Sequence, residues 1–536
     1  MSANTTTNST NKRVAKAAGI VMGAILLSRI LGFVRERAIA EVFGRTWETD
    51  VFFAAFALPD LMYQLLVGGA LSSAFIPVFT QYLANDDEKQ AWYVASTFIN
   101  LTVVLLLVFM VLGSIFTPIL APLVGVGFVG EQRELLILLM RITFPAVFFT
   151  AISGLAMGVL NSYQSFTRPA MGPLVYNASQ ITGAYLLGPS LGVKGMAIGT
   201  IFGSIGSFLL QFPEVLKRAA KHYRFVIDFR HPGVRKMARL MLPAIIGLSI
   251  AQINLIVAQN LASLLDTGSI VALRLANRLI NFPLGVFAMG ISTAIFPTLT
   301  RMSARGETSE FKRTFSFGLR VVLYITIPSA IGMAALRVPI VRLLFESGEF
   351  TAADTQATAF ALLFYSFGLF AQAALQILTR IFHSLYDTVT PVKVGLSTVV
   401  INLILSLILL KGTNLGHGGL ALSFSITSFL NMAIYLVILR KRLGSIDGRR
   451  IATTFVKAFG ASMVMGVVAY QTAAFLGGQV DLARGMGRLI QTMGGILAGA
   501  VTYLVLSFLF KMEEVLFVWN MIKERFTSKK RKTGDA

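Results

Sequence analysis

The chain has 536 residues, of which 55% are hydrophobic and only 13% charged, with a mean hydropathy of +0.72 and a net charge of +22. A soluble domain carries about a quarter charged residues, so the composition assigns the chain to a membrane, and the absence of cysteine excludes disulfides, Cys-ligated zinc and iron–sulfur clusters. The 47 Lys and Arg sit in short clusters between apolar stretches, as orientation signals do, which argues against nucleic acid as a partner.

Residues 1–13, beginning MSANTTTNSTN, read as a disordered polar tail. Lys12, Arg13 and Lys16 introduce an apolar run too long for a signal-peptide core, so an uncleaved first span is expected. At about 20 residues per crossing, the apolar runs predict fourteen spans. They lie near 14–34, 51–83, 92–117, 134–160, 169–187, 193–213, 240–262, 271–300, 314–336, 355–379, 392–410, 417–439, 452–476 and 489–510. Pro59 and Pro283 interrupt the second and the eighth.

Ionisable groups inside spans are costly and face water or a partner. The first span contains SRILGFVRER (28–37). On a straight helix Arg29 and Glu36 share a stripe and Arg35 sits about 120° away, so a bend at Gly32 is expected if all three line one cavity. Asp50 opens the second span, as a cavity carboxylate or as one stabilising a helix start. The eighth span carries LRLANRLIN (273–281), with Arg274 and Arg278 four apart and Asn277 and Asn281 on the adjacent face. These groups bring more cations than anions, and arginine suits bidentate recognition of phosphate, so an anionic, phosphorylated substrate is expected. Asp387, in HSLYDTVTP, is a candidate cation or proton site or a turn-forming carboxylate before Pro391. The four histidines show no metal-ligand spacing, and no nucleotide-binding loop or separate soluble domain is present, which argues against ATP-driven pumping by this chain alone.

The chain also repeats itself. ALSSAFIPVFT (70–80) matches GISTAIFPTLT (290–300), LNSYQSFTRP (160–169) matches FHSLYDTVTP (382–391), and LGVKGMAIG (191–199) matches LGHGGLALS (415–423), in order and at offsets of 220 to 224. A repeat of six spans, an even number, enters the membrane the same way in both copies, so the lobes are related by a pseudo-two-fold axis along the membrane normal and the substrate site lies between them. The expected fold is an all-α polytopic membrane protein with lobes at 14–225 and 235–442, a C-terminal helix pair at 452–510 and a basic tail at 511–536. Basic clusters support this count: eight Lys and Arg from Lys217 to Arg239, six from Arg440 to Lys457 and seven from Lys511 onward fall on one side, placing both termini in the cytoplasm.

The run SRILGFVRERAIAEVFG (28–44), with TDVFFAAFALPDL (49–61), GGALSSAFIPVF (68–79) and the repeated FP.LT of the eighth span, resembles the MurJ/MviN family, within the superfamily that includes the MATE exporters. The resemblance implies a lipid II flippase of the bacterial inner membrane, working by alternating access on undecaprenyl-diphosphate-linked disaccharide-pentapeptide. It implies that Arg29, Arg35 and Arg278 are the family's essential arginines, that Asp50 matches its acidic residue at the start of the second span, and that the helix pair at 452–510 forms a groove for the lipid tail. Two positions depart from the pattern: Tyr63 stands where the family often has arginine, and Asn277 where an acidic residue often precedes the span-8 arginine. The alternatives are a flippase for another polyprenyl-diphosphate-linked glycan or a MATE-like cation-coupled exporter. Energy is expected from the membrane potential or from a coupled Na+ or H+, with no cofactor, and one chain, holding both lobes, suffices as a monomer. Membrane lipids are its other expected partners.

Overall fold

The computed structural model describes residues 23–515, apart from 25 and 66–70. The polar N-terminal tail, most of the basic C-terminal tail and the first part of the first expected span lie outside the described residues. Among those described there is no strand. The helices in order are α1 (26–43), α2 (Trp47–Ala55), α3 (Ala57–Tyr63), α4 (Ile76–Ala84), α5 (Glu88–Ile115), α6 (Thr117–Val124), α7 (Glu131–Ser162), α8 (Thr167–Thr182), α9 (Gly188–Leu191), α10 (Val193–Ala219) and α11 (Pro232–Ala262). They continue as α12 (Ser269–Pro283), α13 (Met289–Ala304), α14 (Thr308–Ala335), α15 (Arg337–Phe345), α16 (Ala352–Ser384), α17 (Val389–Gly412), α18 (His417–Leu443), α19 (Gly448–Gln479) and α20 (Gly485–Leu509).

Eleven helical stretches are long and apolar enough to cross a membrane. The other three expected spans are segmented or incompletely described. The first is α1, which runs unbroken through Gly32. The second is α2, α3, a π turn at Leu71–Phe75 and α4; the fifth is α8, a π turn at Gly183–Leu187 and α9. Pro59 accounts for the break after α2. It has no N–H for the Ala55 carbonyl one turn back, and the Thr143 hydroxyl of α7 takes that carbonyl instead, at 3.2 Å.

The duplication is written into the backbone. Five pairs of residues adopt positive φ at offsets of 218 to 224: Gly44 and Gly268, Asp86 and Gly306, Gly130 and Gly348, Gln164 and Tyr386, Gly192 and Gly416. Each pair lies in the turn between corresponding helices, so the two copies turn at the same places. Where no glycine is present, Gln164 and Tyr386 accept the left-handed conformation that the tight hairpin demands.

The chain divides into two compact units, Met1–Val271 with Ser347–Thr351, and Ala272–Glu346 with Ala352–Ala536. The repeat predicts a boundary between 225 and 235; by compactness it falls after Val271. The reason is α11, which packs on α6, α3 and the π turn at Leu71–Phe75. It is fixed there by the Asn260 amide donating to the Pro122 carbonyl at 2.7 Å and by the Gly127 N–H donating to the Ser263 hydroxyl at 3.1 Å.

Within the first unit, α10 lies against α7 and α8. The approach to α8 is close because Gly183 and Gly199 meet: a Cβ on Gly183 would stand 2.9 Å from the Gly199 Cα. A polar seam joins α7 to α10, with Gln211 donating to Ser153 at 2.7 Å and Ser153 and Ser207 3.0 Å apart. The aromatic core of Phe75, Phe79, Trp92 and Phe98 sits beside it.

Within the second unit, α16 packs on α14 and α18, and the α19–α20 hairpin packs along α14. That hairpin is pinned at both ends. At one end, Arg320 of α14 pairs with Glu513 at 2.9 Å and Glu514 at 2.8 Å, just beyond α20, while Thr454 of α19 donates to Glu514 at 2.9 Å. At the other, Arg488 of α20 bonds the Glu346 carbonyl and lies 3.4 Å from its carboxylate, which also receives the Thr355 hydroxyl at 2.7 Å.

Candidate functional site

The first unit places its candidate residues in unlike settings. Arg29 is exposed on α1. Two turns on, Arg35 is largely enclosed: Nη2 lies 2.6 Å from Glu36 Oε1, and Nη1 donates to Asn177 Oδ1 of α8 at 3.2 Å. Asn177 is itself oriented, its Nδ2 donating to the Pro173 carbonyl at 2.9 Å, so that its oxygen is turned to the arginine. Glu36 is only 2% exposed. The stripe that the sequence assigns jointly to Arg29 and Glu36 is thus exposed at one end and buried at the other. Asn177 escaped the sequence reading, although an amide inside an apolar span was a usable signal.

Asp50, 4% exposed, faces the start of another helix rather than its own. Its Oδ2 accepts the Gly268 N–H at 2.6 Å and its Oδ1 the Val271 N–H at 2.8 Å, so the carboxylate caps α12, where unpaired N–H groups and the helix dipole favour an anion. Arg45 donates to the Thr267 carbonyl at 2.9 Å beside it. Gly268 is obligatory there: besides its positive φ, a Cβ would stand 2.2 Å from the Arg45 side chain. Tyr63 is half-buried and packs on the aromatic core of the first unit.

In the second unit α12 is strongly two-sided. Ala272, Leu275, Ala276 and Leu279 are buried. Arg274, Arg278 and Asn281, spaced i, i+4, i+7, form an exposed stripe with half-buried Asn277 at its edge. Asn281 donates to the Asn277 side chain at 2.7 Å, extending the polar strip by about one turn. At Pro283 the helix passes into a π turn, Leu284–Ala288, before continuing as α13; such turns widen a helix and cluster at functional sites. Two arginines on the exposed face of a membrane-crossing element would cost about 2.5–3.5 kcal/mol each against hydrocarbon, so this face suits a polar surrounding rather than lipid tails.

Asp387 lies in the hairpin between α16 and α17. Its Oδ1 accepts the Val389 and Thr390 N–H groups at 3.0 and 2.9 Å, and its Oδ2 the Thr390 hydroxyl and Arg442, both at 2.6 Å. The matching hairpin of the first unit uses Ser165 and Arg168 on Glu214. Burial alone would raise the Asp387 carboxyl, but Thr390 and Arg442 outweigh it and hold the group below the ordinary carboxylate range. A carboxyl depressed in the folded state stabilises it above the unfolded value, near 3.9, and loses that contribution as pH falls through the folded one. The stability difference between the wild type and Asp387→Asn is therefore expected to be constant from neutral pH to about pH 5 and to shrink below about pH 4, read from unfolding midpoints across pH.

A cavity of about 860 Å³ opens in the second unit. Its walls come from α14, α16, α18 and α19, with Ile331, Phe370, Phe429, Phe459 and Val467 among them and Ser366, Ser425, Tyr470 and Gln471 as polar exceptions. The lining includes no residue of α20. Of the pair expected to form a groove, α19 contributes, and its partners are lobe helices. Among the described residues no group of three or more His, Asp or Glu is arranged to hold a metal ion.

The sequence profile of the lipid II flippase MurJ family matches residues 39–483. A probable lipid II flippase MurJ of Vibrio cholerae is 34% identical over 435 residues, covering 79% of this chain and 82% of that one. The lipid II flippase MurJ of Burkholderia cenocepacia is 31% identical over 454 residues, covering 83% and 87%. Among solved structures, a lipid II flippase MurJ in an inward closed conformation superposes with a TM-score of 0.76 at 29% identity, covering 91% of this chain and 98% of that one. An inward-facing MATE transporter, at 15% identity and a TM-score of 0.66 over 78% of this chain and 96% of its own, shares the fold. Profile, relatives and structure agree, and the chain belongs to the MurJ family of lipid II flippases.

Proposed function

We propose that this chain carries lipid II from the inner to the outer leaflet of the cytoplasmic membrane, exposing the headgroup to each side in turn by rocking one unit against the other. The observation that carries the reading is the exposed Arg274–Arg278–Asn281 stripe on an otherwise apolar helix: it supplies the guanidinium forks and amides that a diphosphate and its sugars require. The apolar cavity between α14, α16, α18 and α19 suits a polyprenyl tail that never leaves hydrocarbon. Arg29 adds an exposed cation from the first unit, while Arg35 would join only on leaving Glu36 and Asn177. The membrane potential is the simpler energy source, worth about 2.3 kcal/mol per charge per 100 mV. Coupling to Na+ or H+ at Asp387 would have to displace Arg442. Both termini are cytoplasmic on this reading, and the monomer is complete.

The test is depletion of the protein in a cell that depends on it, followed by labelling of lipid II at the outer surface. Accessibility should collapse on depletion and return with the wild-type chain. Unchanged accessibility would sink the lipid II assignment and direct the search to other undecaprenyl-linked glycans.

A further inference from the structure

The segment joining α10 to α11 serves neither the stripe nor the cavity, and its construction is unusual. Residues 223–228 form no helix. They are strapped along α5 by side chains: Asn100 donates to the carbonyls of Arg224 at 3.2 Å and Val226 at 3.0 Å, Ser96 accepts the Arg224 N–H at 3.1 Å, and Tyr93 donates to Asp228 at 3.3 Å. The strap crosses α5 where its sequence changes character. Residues 88–100 hold that helix's two charged groups, Glu88 and Lys89, and most of its polar side chains, whereas LTVVLLLVFMVLGSI (101–115) has only Thr102 and Ser114 among apolar residues. That boundary is where a membrane's headgroup layer meets its hydrocarbon.

Held at this depth, the strap turns apolar side chains outward. Phe225 is 82% exposed and Phe229 60%, with Tyr223 and Ile227 exposed at the alternate positions. Lys217, Arg218, Lys221, Arg224 and Arg230 around them are exposed too, and the strap's single acid, Asp228, is occupied by Tyr93 and the Arg230 N–H. Aromatic rings flanked by cations match a surface with acyl chains below and phosphates above. An acidic protein would satisfy the cations but not this depth.

We infer that residues 221–230 form an interfacial strap that binds the anionic headgroups of one leaflet, the one on which the basic clusters lie. Phe225 and Phe229 enter the headgroup–acyl boundary while Lys221, Arg224 and Arg230 engage lipid phosphates. Because α11 starts at Pro232, headgroup binding here fixes where that helix begins.

The chain has no cysteine, so Phe225→Cys in the full-length protein gives a single thiol for a polarity-sensitive fluorophore. The labelled protein is placed in vesicles of phosphatidylcholine, and in vesicles of equal phosphatidylcholine and phosphatidylglycerol. The expected result is a blue-shifted emission and severalfold stronger quenching by spin-labelled lipid in the anionic vesicles. That gain should disappear in high salt and in the K221Q/R224Q/R230Q background, with the unfolding midpoint unchanged. Phe229→Cys repeats the reading if the first variant folds poorly. A probe in water in both vesicles, or equally immersed in both, overturns the inference. So does shielding found only in native membranes, which would assign the strap to a protein partner.

Discussion

Replacing Arg278 by alanine is expected to slow the appearance of lipid II at the outer surface roughly 10- to 150-fold, the range for losing one hydrogen-bonded contact to a charged group. The side chain stands on the open face of α12, so truncation leaves no cavity in the core and the protein should reach the membrane in normal amount. Arg278→Lys keeps the charge but loses the planar fork, and should fall between wild type and alanine. Arg274→Ala, one turn away on the same stripe, is expected to act in the same direction. The double variant should lose less than the two single losses combined, because both groups would grip one headgroup. Transport by Arg278→Ala at the wild-type rate would remove the stripe from the substrate path.

How much of this was legible in the chain varies with the physics that sets each feature. The duplication was, because hairpin geometry constrains sequence directly: the aligned LNSYQSFTRP and FHSLYDTVTP segments carry the residues with positive φ, Gln164 and Tyr386, at the same place. The stripe on α12 was readable too, since 3.6-residue periodicity needs only one helix. Asp50 was harder. Its charge marked it as costly and therefore engaged, but which helix end its carboxylate meets depends on how the Thr46–Asp50 turn lies against Gly268–Val271, a tertiary fact with no local signature. The same holds for Arg35, whose adjacent Glu36 was visible while its partner on α8, Asn177, was 142 positions away. Interruptions divided along similar lines. Pro59 announces its break chemically, whereas the π turns at Leu71–Phe75 and Gly183–Leu187 contain no residue that forbids an α-helix.

The largest effect on stability is expected at a position far from the stripe. Arg320 is 7% exposed and Glu514 2% exposed, and their 2.8 Å pair ties α14 to the segment after α20, with Thr454 of α19 bonded to the same carboxylate. Arg320→Ala leaves that carboxylate buried with one hydroxyl for company. Stranding half of a buried pair costs about 3–5 kcal/mol, against the near-neutral outcome when both halves are exchanged for apolar groups of similar size. The paired variant R320M/E514L should therefore recover most of the loss, although Thr454 then gives up its acceptor. Since α19 contributes a wall of the apolar cavity, loosening this end frees the wall as well as the hairpin. Arg320→Ala should unfold earlier in a detergent thermal melt and expose single cysteines placed along α19, such as Phe459→Cys, to thiol reagents faster than in wild type. R320M/E514L should return both readings toward wild type. A melt unchanged by Arg320→Ala would mean that the contacts along α14 and the Arg488–Glu346 clamp at the far end hold the hairpin unaided.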